Sequence, residues 1–353
     1  MKIITIIGAR PQFIKSSVLS NILENQHSNI NEIIIHTGQH FDSNMSDIFF
    51  NQLSLKEPKY NLNIGGGTHG QMTGRQIELI ENILVDEMPS LVIVYGDTNS
   101  TLSGTISAGK LNIPIVHIEA GLRSFNKKMP EEQNRIIADH LSSYLFTPSE
   151  TSFKNLLNEN IAKDKIFNYG DIMFDAVLKY KSHSKQPKLN SKIPNDFVLC
   201  TIHREENTDN DNNLINIINA LNESNLNIIF PIHPRTKKYI SRLNLQLSNK
   251  IICTEPIGYL EMTWLLSNCQ FVITDSGGLQ KEAFFHGKFC LIVRNETEWT
   301  ELIDLNYAVL VGSKKERILA QVEMKNISID FNKSPYGNGT TGIQIAKKLT
   351  EIL

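Results

Sequence analysis

The strongest constraint on this 353-residue chain is a repeated alternation of short, β-branched apolar runs with helical stretches. Ile3–Ile7 (IITII) leads into a helical stretch over Gln12–Leu23, and Glu32–His36 (EIIIH) into a helix around Met45–Leu53. Leu91–Tyr95 (LVIVY), Ile113–Ile118 (IPIVHI) and Tyr144–Thr147 (YLFT) repeat the pattern. Uninterrupted apolar strands separated by helices are what a parallel sheet covered on both faces requires. The rhythm breaks at Lys181–Asn195, KSHSKQPKLNSKIPN, whose polar, Pro-containing composition is that of a linker. It then restarts with FVLCTI, NIIFPI, KIICTE, FVITDS, FCLIVR and AVLVG. A closing helix over Gly342–Leu353 follows Pro335, Gly337 and Gly339.

A chain of this length exceeds what one hydrophobic core supports. The expectation is therefore an α/β protein of two domains with parallel sheets, 1–180 and 196–334. Residues 181–195 link them, and 335–353 return to the first. Ligands of such folds bind at the C-terminal ends of the strands, here in the cleft between the domains.

A formal net charge of −2 gives no electrostatic reason to expect nucleic acid or an acidic membrane as partner. Cys200, Cys253, Cys269 and Cys290 each lie in or beside an apolar run and form no CxxC pair. They read as reduced core cysteines rather than a metal or redox site. The apolar N-terminal run is too short for a signal peptide, and no segment approaches the ~20 apolar residues of a membrane span. The expectation is a cytoplasmic chain without a membrane partner.

Residues with chemical potential gather after the strands. The first strand ends in Gly8-Ala9-Arg10-Pro11, with Lys15 a helical turn later, a place for an anion at a helix start. The ordinary reading is two surface cations beside a turn. Asp97 follows LVIVYG, and Thr98, Asn99 or Ser100 can cap the next helix equally well, leaving Asp97 to face a cleft. Glu119 closes IPIVHI, a costly place for a carboxylate unless it is used or paired, with Arg123 as a ready partner. Glu131 sits in the first turn of a Pro-initiated helix, where acids are routine, and Arg135 lies four residues from both Glu131 and Asp139, as in a solvated ion-pair ladder. Three carboxylates at one cleft edge can divide acid and base roles.

The second half supplies a complementary set. His203-Arg204-Glu205-Glu206-Asn207 follows FVLCTI, and His233-Pro234-Arg235 follows NIIFPI. Asp275-Ser276-Gly277-Gly278 opens a helix carrying Glu282. A Ser-Gly-Gly turn into a helix offers amide groups to a diphosphate, and Glu282 suits a ribose. The plain alternatives are a simple loop, a surface acid and two structural histidines.

In this order the motifs resemble the non-hydrolysing UDP-N-acetylglucosamine 2-epimerase family over essentially the whole chain. The segments carrying the likeness are GARPQFIK (8–15), HTGQHFD (36–42), YGDTNST (95–101), HIEAGLRS (117–124), MPEEQNR (129–135), HREEN (203–207), PIHPR (231–235), EPIGYLEM (255–262), DSGGLQKEA (275–283) and SPYGNG (334–339). The resemblance implies two Rossmann-like domains of the glycosyltransferase-B architecture, a homodimer, and no metal or other cofactor. It implies UDP elimination from a UDP-linked 2-acetamido sugar and re-addition after C2 is reprotonated on the other face. Asp97, Glu119, Glu131 and His203 are then the catalytic candidates. Arg10, Lys15, Arg123, Arg204, His233, Tyr259, Ser276, Gly277, Gly278 and Glu282 are the substrate-binding candidates.

Departures bear on the substrate. Where bacterial UDP-N-acetylglucosamine enzymes bind an activating second substrate, this chain has Asp42, three residues after Gln39, and no arginine in Gly65–Gly74, the next one being Arg75. Glu205 and Trp299 also stand where many members have arginine. These features resemble the branch acting on UDP-2,3-diacetamido-2,3-dideoxyglucuronic acid for surface polysaccharide, with Lys127, Lys128 or Arg123 as cation for its C6 carboxylate. The alternatives are UDP-N-acetylglucosamine as substrate, a hydrolysing epimerase, a glycosyltransferase of the same fold, and a non-catalytic nucleotide-sugar sensor.

Overall fold

In a computed structural model, the described residues are 1–38, 53, 55–189, 191–324, 331 and 333–353. The chain forms two compact units, Met1–Lys179 with Ser334–Leu353, and Tyr180–Lys333. The polar segment 181–195 falls in the second unit.

The first unit holds β1 (Lys2–Ile7), β2 (Asn31–His36), β3 (Tyr60–Asn61), β4 (Leu91–Tyr95), β5 (Ile115–Ile118), β6 (Tyr144–Thr147) and β7 (Ile166–Asn168). They form a seven-stranded sheet ordered β3-β2-β1-β4-β5-β6-β7, with every pair parallel. The Ile and Val runs make these strands because β-branched side chains fit a pleat buried on both faces. All five residues of β4 are buried, as are Ile3, Ile4, Ile6 and Ile7 of β1. β3 and β7 are short edge strands that the apolar pattern does not mark. The helix expected around Met45–Leu53 lies, apart from Leu53, outside the described residues.

The second unit repeats the plan with β8 (Val198–Thr201), β9 (Ile228–Pro231), β10 (Ile251–Thr254), β11 (Val272–Thr274), β12 (Cys290–Ile292) and β13 (Ala308–Leu310). Its order is β10-β9-β8-β11-β12-β13, again parallel throughout. Pro231 is tolerated as the last residue of its strand. Three cysteines are buried, but Cys253 is exposed because it lies on the edge strand β10, which corrects its reading as a core residue. No helix among the described residues is long and apolar enough to cross a membrane.

Both sheets reverse their direction of winding at one point, between β1 and β4 and between β8 and β11. At such a switch point the two connections leave in opposite directions and open a crevice at the strands' C-terminal ends. Gly8–Lys15 and Asp97 follow β1 and β4, and His203 and Asp275–Gly278 follow β8 and β11.

The C-terminal helix Thr341–Ile352 packs on Arg10–Gln26 of the first unit. Asp175, on helix Ile172–Lys181, receives the Gly342 amide at 2.7 Å and so caps that helix from 167 residues away. Burial pushes its carboxyl up to about 6, with neighbouring Asp171 adding to the effect and the amides of Gly342 and Thr341 opposing it. A carboxyl raised in the folded state stabilises below its unfolded value near 3.8 and loses that contribution as pH rises through about 6. An Asp175→Asn variant keeps an acceptor for Gly342 without the buried charge. It should melt above the parent at pH 7.5, by about 1–2 kcal/mol, and the gap should close by pH 4. Thermal melts at the two pH values check this.

Candidate active site

The turn after β1 is built around Gln12. Its Oε1 accepts the amides of Gly8 and Ala9 at 2.8 and 3.0 Å. Its Nε2 donates to the Tyr95 carbonyl at 2.8 Å, to Thr98 Oγ1 at 2.9 Å and to Thr101 Oγ1 at 3.1 Å. One buried amide thus ties the β1 turn to the β4 turn. The backbone amides of Gly8 and Ala9 are thereby already satisfied. Glycine is needed at position 8 because a Cβ there would lie 2.1 Å from Thr37 Oγ1 and 2.2 Å from Ser100 Oγ. Arg10 begins the following helix, half-buried.

Lys15, one turn later, is buried and pairs with Glu119 at 2.6 Å, both side chains being under 9 % exposed. Glu119 is therefore the partner of Lys15, not of Arg123. Arg123 is spent elsewhere: its Nη1 donates to Asp139 at 2.7 Å, and its Nε and Nη2 bind the Glu159 carboxylate at 2.6 Å each. Those two carboxylates raise its already high pKa against the opposing effect of burial. Its side chain is 1 % exposed and is held by those two carboxylates.

Glu119 has φ +72°, a left-handed backbone rare for a side chain of its size. Its amide and that of Ala120 both donate to the Phe146 carbonyl, at 3.1 and 3.0 Å. A buried ion pair adds little to stability against its desolvation, and strained backbone persists where surroundings enforce it. Both features fit a carboxylate held for chemistry.

Asp97 is half-buried and receives Arg135 Nη2 at 2.6 Å, while Asn134 Nδ2 donates to its carbonyl at 2.9 Å. Thr98 caps helix Asn99–Lys110 by accepting the Thr101 amide. Arg135 is 2 % exposed and also holds Glu132 at 3.0 Å, so the solvated ladder read from its spacing is instead a buried clamp. Asp139 accepts from His117 and Arg123 rather than serving that ladder. Glu131 lies, partly exposed, in the first turn of helix Pro130–Leu141, which also carries Asn134 and Arg135. Gly96, at φ +62°, lies between the two carboxylate sites: a Cβ on it would be 3.4 Å from Glu119 Oε1 and 3.9 Å from Lys15 Nζ.

In the second unit Asp275 is the organiser that sequence reading missed. Fully buried, it accepts the His203 amide at 3.0 Å, the Arg204 amide at 2.9 Å and Asn207 Nδ2 at 3.1 Å. Its carboxylate also lies 3.5 Å from His203 Nδ1. Burial, helped by neighbouring Arg204 and His233, pushes the His203 imidazole below its usual value, with Asp275 opposing. The His203 ring lies 5.7 Å from that of His233, and His233 caps helix Pro234–Arg242 by accepting the Arg235 amide at 3.2 Å.

Helix Gly277–Phe285 starts at Ser276, and its first amides are the orphan donors of any helix start. The two glycines there differ. A Cβ on Gly277 would lie 2.3 Å from Glu298 Oε1, whereas one on Gly278 would meet nothing within 4 Å. Gly277 is thus a packing glycine, and the open face is at Gly278. Arg294 joins this turn to the His203 turn by binding Glu298 and Glu206, each at 3.1 Å. Lys281 stacks its ammonium 3.9 Å over the Trp299 ring, both residues being buried. Glu282 is buried rather than a surface acid. Tyr259 is also buried, with its ring edge-on to Tyr180 at 5.9 Å, so its side chain serves the core rather than an open ligand surface. Gln39 and Asp42, which bear on an activator site, lie outside the described residues.

Two parallel α/β units of the glycosyltransferase-B type, one carrying carboxylates and the other a diphosphate-type turn, define an enzyme acting on nucleotide-linked sugars. A family profile described as UDP-N-acetylglucosamine 2-epimerase matches residues 23–350. The UDP-2,3-diacetamido-2,3-dideoxy-D-glucuronate 2-epimerase of Pseudomonas aeruginosa is 49% identical over 358 residues, covering all of both chains. The UDP-N-acetylglucosamine 2-epimerase of Methanocaldococcus jannaschii is 44% identical over 364 residues, 99% of each. The crystal structure of the M. jannaschii enzyme with UDP-GlcNAc and UDP superposes with a TM-score of 0.92 at 43% identity, covering 99% of this chain and 100% of that one. That of the Neisseria meningitidis enzyme bound to UDP-GlcNAc gives 0.89 at 30% identity, with the same coverage. The chain belongs to the non-hydrolysing UDP-N-acetylglucosamine 2-epimerase family and is an isomerase.

Proposed function

We propose that this enzyme converts UDP-2,3-diacetamido-2,3-dideoxy-glucuronate into its manno epimer for surface polysaccharide, in the cytoplasm. The observation that carries the catalytic part is Glu119, held in a left-handed backbone against buried Lys15. The C2 proton of such a sugar is weakly acidic, so its removal needs a positioned base, and its return to the opposite face needs an acid. Asp97, Glu119 and Glu131 serve these steps. As the C2–H bond breaks, the C1–O bond to the diphosphate breaks with it, giving a glycal and UDP. Re-addition of UDP to C1 accompanies delivery of a proton to the other face of C2.

Charge develops on the leaving diphosphate, and donors aimed at that charge lower the barrier. Arg10, Arg204, His203 and the helix start at Ser276–Gly278 supply them. Glu282 takes the ribose, and the segment around Tyr259 the uracil through its backbone.

The substrate reading draws support from the 49% identity to the P. aeruginosa enzyme of that name. With Arg123 committed to Asp139 and Glu159, the cation for a C6 carboxylate is Lys127 or Lys128, both exposed just ahead of helix Pro130–Leu141. Measuring kcat/KM for the diacetamido uronate and for UDP-N-acetylglucosamine tests this. The uronate should be preferred by at least tenfold, and Lys127→Met with Lys128→Met should erode that preference. Equal rates, or a preference indifferent to both lysines, would instead favour UDP-N-acetylglucosamine, the substrate in the name of the M. jannaschii relative.

The same reading includes a homodimer. Leu79, Ile137 and Leu141 are exposed on helices His69–Glu87 and Pro130–Leu141, which flank Asn99–Lys110, and apolar side chains of this kind suit a subunit contact. Light scattering should give twice the 40.0 kDa chain mass.

A further inference from the structure

We infer that His117 and Asp139 form a positioning pair that fixes the Asp97 and Glu119 turns for proton transfer. The inference rests on the epimerase reading.

His117 lies in β5, two residues before Glu119, and is fully buried. Its Nδ1 is 2.7 Å from Asp139 Oδ1, and its Nε2 is 2.7 Å from the Gly96 carbonyl oxygen. Ionised Asp139 and a carbonyl only accept, so both ring nitrogens donate. Asp139, also fully buried, takes three further donations. The Gly121 amide reaches its two oxygens at 3.3 and 3.1 Å, and Arg123 Nη1 lies at 2.7 Å. Burial works against its charge, but His117 and Arg123 outweigh that and hold its carboxyl below the usual range.

This arrangement grips the reacting turns from both sides. Gly96, at φ +62°, immediately precedes Asp97, and its carbonyl is held by His117. Gly121, at φ +81°, follows Glu119 by two residues, and its amide is held by Asp139. Glu119 itself sits between His117 and Gly121 in its left-handed conformation. A single buried hub therefore sets the backbone on either side of Glu119 and just ahead of Asp97. Ordinary core packing at these positions would be met by apolar side chains at lower desolvation cost, so the polar pair marks a demand for direction rather than for volume. Nothing in the hub reaches solvent, so it acts through the carboxylates and not on the substrate.

The test compares the parent with His117→Phe, His117→Gln and Asp139→Asn, measuring kcat, KM, UDP affinity and a crystal structure of each. Phe keeps the ring without donors. It should lower kcat by at least 100-fold while KM and the UDP dissociation constant stay within threefold. Gln can still donate to Gly96 and should recover at least tenfold of that loss. Should the Phe variant fail to fold, Asp139→Asn decides, with an expected kcat loss of at least tenfold at unchanged KM. Parental kcat in the folded Phe variant, or a loss shared equally by kcat and UDP binding, overturns the proposal. If the parent itself shows no C2 exchange, the epimerase reading fails, and the crystal structures still judge the hub. Displacement of the Gly96 and Glu119 turns supports it, and unmoved turns overturn it.

Discussion

A Glu119→Gln variant is expected to lose about 10³-fold in kcat, within the range that a positioned acid or base contributes. Its affinity for UDP should be nearly unchanged, because the turns proposed to hold UDP, Ser276–Gly278 and His203–Arg204, belong to the other unit. Glutamine keeps the side-chain volume, and its Oε1 still accepts from Lys15, which now sits 2.6 Å from the carboxylate. The fold should therefore survive, with the melting temperature shifted by only a few degrees. Steady-state rates and UDP titration calorimetry separate the two effects. A variant keeping more than a tenth of the parental kcat would remove Glu119 from the proton transfers.

The largest expected loss of stability is at Gly121. Alanine there would have to adopt φ +81°, and its Cβ would lie 2.3 Å from the Ser152 carbonyl oxygen and 2.9 Å from the Ser152 carbonyl carbon. Backbone atoms in helix Glu150–Asn158 do not yield as a flexible side chain would. Left-handed backbone costs alanine about 1 kcal/mol, and relieving the contact adds to it, for a total on the order of 3 kcal/mol. Displacing Gly121 also pulls its amide from Asp139, so residual folded protein should be nearly inactive. Gly278→Ala is the contrast: with nothing within 4 Å of its Cβ, it should fold normally. Chemical denaturation of both variants checks the pair, and equal midpoints would contradict it.

The sheets were legible because Ile and Val runs such as Ile3–Ile7 and Leu91–Tyr95 have no other good use than strands covered on both faces. The two-residue β3 and three-residue β7 were not, since an edge strand so short has no pattern to display. Asp97, Glu119 and the Ser276–Gly278 turn were visible as polar residues directly after apolar strands. Their partners were not. Local spacing suggested Arg123 for Glu119, but tertiary packing gave Arg123 to Glu159, 36 residues on, and gave Glu119 to Lys15. Gln12 reaches Tyr95 across 83 residues, and Asp275 reaches His203 across 72. Such pairings follow from which strands lie beside one another at a switch point, and strand order is not written in any one segment. A signal for the hub did exist: His117 sits inside an apolar strand, and a polar residue there needs buried partners.

The proposed reaction inverts C2 by removing and returning a proton while UDP is lost and regained. Proton NMR of the purified enzyme in D2O with the diacetamido uronate, and separately with UDP-N-acetylglucosamine, tests this most directly. Deuterium should appear at C2 in both epimers of a UDP-linked sugar, with no free sugar accumulating. Epimerisation without deuterium uptake, or release of free sugar together with UDP, would contradict it.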